Sequence, residues 1–587
     1  MDMRTRQEMK LWALKSNIKH TALKELFAIW NRRIPNMFPG DPRTFLDTPR
    51  KIEITKIGDG AYWHNGLAQN LSRALNSVHH DSSRELTCLS LNFNMDGLPV
   101  YKSSKIEFWP ILCNIHELPK IKPLVVGIYC GAGKPVDLAL YLGPFVQEMQ
   151  QILKHGLFIQ KYGYHIQIKI RCFICDSPAR AFIKGIVNFN GKNGCNKCTV
   201  IGEYSYISHC VYFPRIGCEK RNDAEFRALA YGSHHKCYTP LVELPINMIE
   251  DFPVGDSLHL IDLGVMKCCL MGWKDGNMGT YRTKWSYSNI STVSTFLVNC
   301  KMPSEIHRAV RGLDVLAFWK GTEYRTFLLY LSIVILRRVL PIDVYQHFLL
   351  FFCSVTICSS LNAHSKLLPV AETLLYTYIE TYRDFYGEDF MTSNVHNLSH
   401  LIEEVRKFGE LSTFSAYPFE NRLFQIKRLL RNGNNPLSQV AKRIVEIMQM
   451  DNNTSDNTPS SDIEKYPILQ QLIQSGHFSK IQFENFSLKS NEHNKWFLSE
   501  DEKIVAMKYA KKENYSIIIA GYALKDKSDV FVIPFRSSFL DIYKSNATCF
   551  EKNLLTFKSS DVKIKLVAIE ESENIKVFIP LLHSYIQ

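Results

Sequence analysis

The chain has 587 residues, 46% of them hydrophobic and 22% charged. That excludes a disordered or low-complexity protein and predicts two to four domains. Seventy Lys/Arg against 57 Asp/Glu give 70 − 57 = +13, a balance that suits a polyanionic partner or an ordinary basic protein.

Residues 1–55 carry two helical apolar stripes, Leu11 and Leu14 in 6–15 and Leu23, Leu26, Phe27 and Trp30 in 20–32, with Asn17 placed to stop the first helix. Eleven Lys/Arg stand against six Asp/Glu here, so the segment reads as a helix-turn-helix that binds DNA or as an amphipathic pair packed on a core. Segment 85–200 opens with strand patterns at 86–94, 106–115 and 123–130, continues with a helical pattern at 135–155, and returns to a strand at 165–175. Three strands, a helix and a strand is the order that opens an RNase H-like fold.

Residues 201–390 read as a mostly helical insertion, with two apolar helices in 326–361 and a third in 367–386. The most apolar stretch, 324–361, is interrupted by Arg337, Arg338, Pro341, Asp343 and His347. It therefore predicts buried helices and no membrane partner. Helical patterns at 395–408 and 416–449 make 391–450 the last part of the core. Residues 451–465 open with a polar run, DNNTSDNTPSSD, that reads as a linker. Strand-like pieces at 504–507, 515–519, 530–534, 562–569 and 576–579 predict a small β-rich domain over 466–587. The fold class is thus α/β, an RNase H-like mixed sheet interrupted by a helical insertion.

Two acids end strands: Asp96 in LNFNMDGLPV and Asp176 in FICDSPARAFIKG. Neighbouring strands in such a sheet bring these carboxylates together, and hard cations such as Mg²⁺ or Mn²⁺ take oxygen ligands of this kind. Equally, each is a turn former or a helix N-cap, Asp176 for a helix starting at Ser177. Cys195 and Cys198 (C-x-x-C) with His396 and His400 (H-x-x-x-H) supply the ligand set of a structural zinc site. Their separation excludes a zinc finger and leaves an ion that staples two distant segments. His209, Cys210, Cys218, His234, His235 and Cys237 form a weaker second cluster. The sixteen cysteines follow a charged N-terminus with no apolar leader, and read as reduced, intracellular thiols.

NMDGLPVYKSSKIEFWPIL, FICDSPARAFIKG, GCNKC, SLHLIDLGVMK, FWKGTEYR and SAYPFENR, taken in this order between about residues 20 and 445, resemble the CACTA (EnSpm) group of DDE transposases and their domesticated relatives. The resemblance implies an RNase H-like core, marked by C-x-x-C, a Leu/Met-His pair (here Leu258–His259) and a spaced His pair. The V(D)J recombinase core is similar in layout: here Asp176 precedes Cys195 by 19 positions and His400 precedes Glu420 by 20. By this resemblance Glu420 is the third catalytic acid and metal ligand beside Asp96 and Asp176. Asp256, with Asp262 behind it, is the rival, and His259 is a catalytic or DNA-contacting histidine or a packed side chain. Read from its residues alone, Glu420 begins a basic helix whose Arg422, Lys427, Arg428 and Arg431 suit DNA phosphates or a solvated face. The resemblance implies a DNA transposase acting on transposon ends and target DNA as a dimer or larger assembly in the nucleus, or a domesticated, non-catalytic DNA-binding scaffold.

Overall fold

The computed structural model describes residues 2–77, 86–101, 103–278, 283–455, 466–474, 476–514 and 516–582. It is a mixed α/β chain in two compact units. Met1–Asn188, Asn222–Pro253 and Ala416–Ile463 form the first; Phe189–Arg221, Val254–Ser415 and Glu464–Gln587 form the second. The stretch expected as one insertion, 201–390, contributes to both.

The first unit is built on a sheet of β1 (Thr55–Ile57), β2 (Gly60–His64), β3 (Cys88–Met95), β4 (Leu98–Pro99), β5 (Ile106–Ile115), β6 (Leu124–Ala132), β7 (Leu157–Ile159) and β8 (Tyr164–Phe173). The order is β1-β2-β6-β5-β3-β8-β7, with β4 on β5. Along β2, β6, β5 and β3 each strand is antiparallel to the next, whereas β8 runs parallel to β3. Strand β3 alternates Leu89, Leu91, Phe93 and Met95 with Ser90, Asn92 and Asn94, whereas β5 is apolar without a break from Phe108 to Cys113; both are buried along most of their length. The helix Leu138–His155 starts where the Asp137 carboxylate accepts the Leu140 N–H, and buries Leu142, Phe145, Met149 and Ile152 in the unit's core.

The helices Met3–Lys15 and His20–Arg33 form as their stripes require, separated at Asn17, which has φ 49°. Phe27 stacks on Phe38 at 4.6 Å in their small core. The helix expected over 416–449 is two helices, Tyr417–Arg428 and Pro436–Ser455. Asn435 takes φ 45° and Pro436 cannot donate a helical hydrogen bond, so the first helix ends and the second begins with proline in its first turn. That second helix continues into the expected linker as far as Ser455; residues 456–465 lie outside the described residues.

In the second unit the helix Ile342–Ser359 is long and apolar enough to cross a membrane, yet most of it is buried, packed on Leu361–Tyr386. Eleven strands between Ile468 and Pro580 form the C-terminal sheet, with cores around Phe497, Val505 and Ile519 and around Trp496, Leu566 and Phe578. Residues 530–534, expected as a strand, are irregular beyond the two-residue strand Ser528–Asp529. The Val530 N–H is taken by Ser537 Oγ, and Pro534 has no N–H to offer a ladder. Tyr515, at the start of another expected strand, lies outside the described residues; the strand runs Ser516–Ala523.

Candidate active site and metal centre

Parallel pairing of β3 with β8 sets Phe93 opposite Phe173. Asp96 and Asp176 each follow three positions later, so both leave the same edge of the first unit's sheet at one level. The pairing continues beyond the strand ends. Ile174 N–H donates to Phe93 O (2.7 Å), and Asn94 Nδ2 donates to Ile174 O (2.8 Å). Beneath them Phe93 stacks with Phe173 (5.5 Å) and Phe173 with Phe252 (4.8 Å). Both carboxylates act electrostatically on Cys175, whose thiol is pushed up chiefly by burial and further by Asp176 and Asp96.

Local contacts hold each acid. Asp96 Oδ1 accepts the Gly97 N–H at 2.7 Å. Asp176 is also the N-cap of Ser177–Ile183, its Oδ1 accepting the Ala179 N–H at 2.7 Å, so the capping role expected for it is present. Buried Arg180 ties that helix down through Cys175 O (3.0 Å), Pro253 O (2.9 Å) and Ser177 Oγ (3.0 Å). Trp109, which the sequence reading did not single out, serves both acid loops. A Cβ on Gly97 would lie 3.1 Å from its ring, and the ring stands edge-on to Phe182 at 5.1 Å. Its sequence signal was an aromatic within the apolar strand KIEFWPIL.

Glu420 lies in the first turn of Tyr417–Arg428, in the same unit as Asp96 and Asp176. Lys427, seven residues on and hence on the same helix face, donates from Nζ to Pro99 O at 2.6 Å. Pro99 is three residues past Asp96, so the helix that carries Glu420 reaches the segment following Asp96. All three acids are partly exposed. Asp256 belongs to the second unit, buried at the start of the π-helix Ser257–Met266. It accepts the Leu258 and His259 N–H groups and contacts His259 Nδ1 at 2.5 Å.

The four basic residues differ. Arg431 is half-buried and engaged: it donates to Asn17 Oδ1 and Ile18 O, and burial, with Arg443 beside it, brings it down to about 10. Arg428 lies over the Phe424 ring at 5.9 Å, and Arg422 donates to Gln425 Oε1 at 3.1 Å.

In the second unit Cys195, Cys198, His396 and His400 are buried, with their donor atoms all within 4.8 Å of one another. Cys195 Sγ lies 3.5 Å from His400 Nε2, Cys198 Sγ 3.3 Å from His396 Nε2, and the two sulfurs 3.5 Å apart. A tetrahedral ion at ~2.3 Å from sulfur and ~2.0 Å from nitrogen sets S···N about 3.5 Å and S···S about 3.8 Å apart, so this cluster can hold a metal such as zinc. The N–H groups of Lys197 and Cys198 point at Cys195 Sγ, each at 3.4 Å. Burial raises the Cys195 thiol, but Cys198, His400 and His396 outweigh it and hold it well below the usual thiol range. Cys198 is pushed up by its hydrogen bond to Cys195 and by burial. Lys197 bridges to Glu404 (2.9 Å), which also accepts the Val254 N–H (2.8 Å) and the Gly255 N–H (2.6 Å). A Cβ on Gly255 would lie 2.7 Å from Glu404 Oε2. Among the described residues no other group of three or more such donors converges. The expected second cluster divides: His209, Cys210 and Cys218 belong to the second unit, while His234, His235 and Cys237 belong to the first, where His235 packs on Phe226 at 4.8 Å.

Residues 463–581 match the profile of a domain of unknown function, DUF8592, which coincides with the C-terminal sheet. No curated protein matches the chain.

Proposed function

We propose that this chain is the core of a DNA transposase of the DDE type, cleaving DNA strands and joining them to target DNA with divalent metal. The observation that carries this reading is the Phe93–Phe173 register, since Asp96 and Asp176 each follow three positions after one of these paired residues. The strand order β6-β5-β3-β8, antiparallel up to β3 and parallel between β3 and β8, supports an RNase H-like core. Lys427 on Pro99 supports Glu420 as third acid. Mg²⁺ or Mn²⁺ held there would supply charge stabilisation at a scissile phosphate and lower the pKa of an attacking hydroxyl. The chain's own contribution is positional: the Phe93–Phe173–Phe252 stack, Trp109 and Arg180 fix the two loops so that little reorganisation accompanies reaction. Arg422, Lys427 and Arg428 run along the Glu420 helix, where phosphates would be gripped. The Cys195–His400 cluster is structural in this reading, a closed four-ligand set with no open position.

The test is Mn²⁺-dependent nicking and strand transfer by the purified chain, scored on supercoiled plasmid with a labelled 3′-hydroxyl oligonucleotide. Asp96→Asn, Asp176→Asn and Glu420→Gln are each expected to lower both activities by at least ~10²-fold with folding retained. Full activity in Asp96→Asn and Glu420→Gln together would remove the reading. The second reading, a non-catalytic DNA-binding scaffold, is favoured by the capping role of Asp176; metal-independent DNA binding without nicking would select it.

A further inference from the structure

In the C-terminal sheet the strands His477–Gln482, Ile504–Glu513, Ser516–Ala523 and Leu555–Lys558 pair in that order. Ala510, Ile519 and Phe557 stand in one register row and enter a core of this sheet. The rows on either side, Tyr509–Ala520–Thr556 and Lys511–Ile518–Lys558, therefore face the other way. That other side is open: Thr556 and Lys558 are exposed, and Tyr509, Lys511 and Ile518 are partly so. His477 stands opposite Lys511 and stacks its ring on Tyr509 at 3.9 Å, with 21° between the planes. The register shifts between Met507 and Tyr509, a β-bulge whose extra residue is Lys508. Exposed Lys508 reaches over the Tyr522 ring, its Nζ 5.5 Å from the centroid. Tyr522 is two residues beyond Ala520 in its strand and shares that side. Lys511 pairs with Glu513.

We propose that this side of the sheet binds single-stranded DNA, its bases stacking on His477, Tyr509 and Tyr522 and its phosphates meeting Lys508, Lys511 and Lys558. Rings interleaved with cations on one open surface suit an unpaired strand, since every base has a flat face and every nucleotide a charge. A duplex hides its base faces and would leave the rings unused. An apolar protein surface would leave the lysines unused, whereas Lys508, Lys511 and Lys558 against Glu513 favour a polyanion. The bulge adds a cation to the row of rings without displacing one, because Lys508 is extra to the register. All six contact residues lie within the matched segment 463–581. That the strand is DNA rests on the transposase reading, in which cleavage leaves unpaired ends; the surface itself uses none of the three acids.

The test is fluorescence anisotropy of the full chain with labelled oligo-dT, oligo-U and an abasic deoxyribose-phosphate strand of equal length. Oligo-dT is expected to bind at least ~10-fold more tightly than the abasic strand, which keeps the phosphates and loses the stacking. Tyr509→Ala with His477→Ala should remove that difference, and Tyr509→Phe should keep it. Neither variant should alter plasmid nicking, whereas Asp96→Asn should lower nicking and keep the preference for bases, so this inference and the transposase reading fail separately. Lys508→Gln with Lys558→Gln, both at exposed positions, should reduce the log–log salt slope for oligo-dT by roughly 1.4, at ~0.7 per phosphate contact. Equal binding of oligo-dT and the abasic strand, an unchanged preference in the double ring variant, an unchanged salt slope in the double lysine variant, or tighter binding of oligo-U than of oligo-dT would each overturn the proposal.

Discussion

At the scale of single residues, the metal cluster and a buried histidine make the sharpest claims. Four donors that already stand at tetrahedral spacing pay little reorganisation on binding, so ion affinity adds directly to the stability of the second unit. The purified protein is expected to carry one zinc ion per chain. Cys195→Ser should bring metal content below half an equivalent and lower the Tm of that unit by roughly 5–10 °C. Elemental analysis and calorimetry read both, and an unchanged Tm on chelation would exclude a structural ion. His347 is buried against Tyr378 and Phe385, each ring 4.4 Å away, and its Nε2 donates to Tyr378 O at 3.0 Å. Burial brings it down to about 4 from 6.5. Between those values the unfolded chain takes up a proton that the folded chain refuses, so stability falls as pH drops from 6.5 towards 4, by about 3 kcal/mol for this group. His347→Met should remove that part of the slope; parallel stability curves for the two proteins across this window would show that His347 does not titrate as a buried neutral ring.

Elements were legible in the sequence where one side of a segment is apolar by design, and less so where contacts distant in sequence decide. The β3, β5, β6 and β8 patterns and the helix between β6 and β8 fall within a few residues of expectation because each carries its own period. The hairpin β1–β2 went unseen: three- and five-residue strands give no period, and what makes β2 a strand is pairing to β6, more than sixty residues on. The acid loops and the Cys/His pairs could be picked out because residue type and spacing carry them. Trp109 and Arg180 could not, since their value comes from what they touch. The helix Tyr417–Arg428 illustrates the same limit. Its cations look alike in sequence, but Arg431, just beyond the helix, secures the turn between the two N-terminal helices through Asn17 and Ile18, while Arg428 is exposed. Arg431→Met is therefore expected to destabilise the first unit by ~1–2 kcal/mol, the cost of leaving half-buried partners unpaired, and to leave the salt dependence of duplex binding unchanged. Arg428→Gln should do the reverse, reducing the log–log salt slope by about one. Filter binding from 50 to 200 mM salt reads the slope, and equal slopes in both variants would remove Arg428 from the DNA surface.

At the scale of the whole chain, family boundary and packing boundary disagree, and a buried ion pair shows where. The matched segment 463–581 coincides with a sheet that has its own cores, which suggests a module. Yet Lys565, with no exposed surface, donates to Glu305 Oε2 (2.8 Å), Ser487 O (2.7 Å) and Asn494 Oδ1 (2.9 Å). Glu305 lies outside the matched segment but inside the second unit. Burial brings Lys565 down to about 8 while Glu305 opposes the shift, so the lysine depends on a carboxylate its own module does not supply. Removing one partner of such a pair costs ~3–5 kcal/mol, whereas an apolar replacement of the buried charge is often neutral or stabilising. In the full chain, Glu305→Gln should therefore destabilise the second unit by that amount. The isolated fragment 464–587 should be marginal at pH 7, since loss of Glu305 drives the buried lysine still further down, should gain stability as pH rises towards 10.5 while the unfolded chain alone still holds the lysine proton, and should be rescued by Lys565→Met. Chemical denaturation of the fragment and its variant measures this directly. A fragment as stable as its Lys565→Met variant would mean that water replaces Glu305 when the rest of the unit is removed, and that the sheet is a self-sufficient domain.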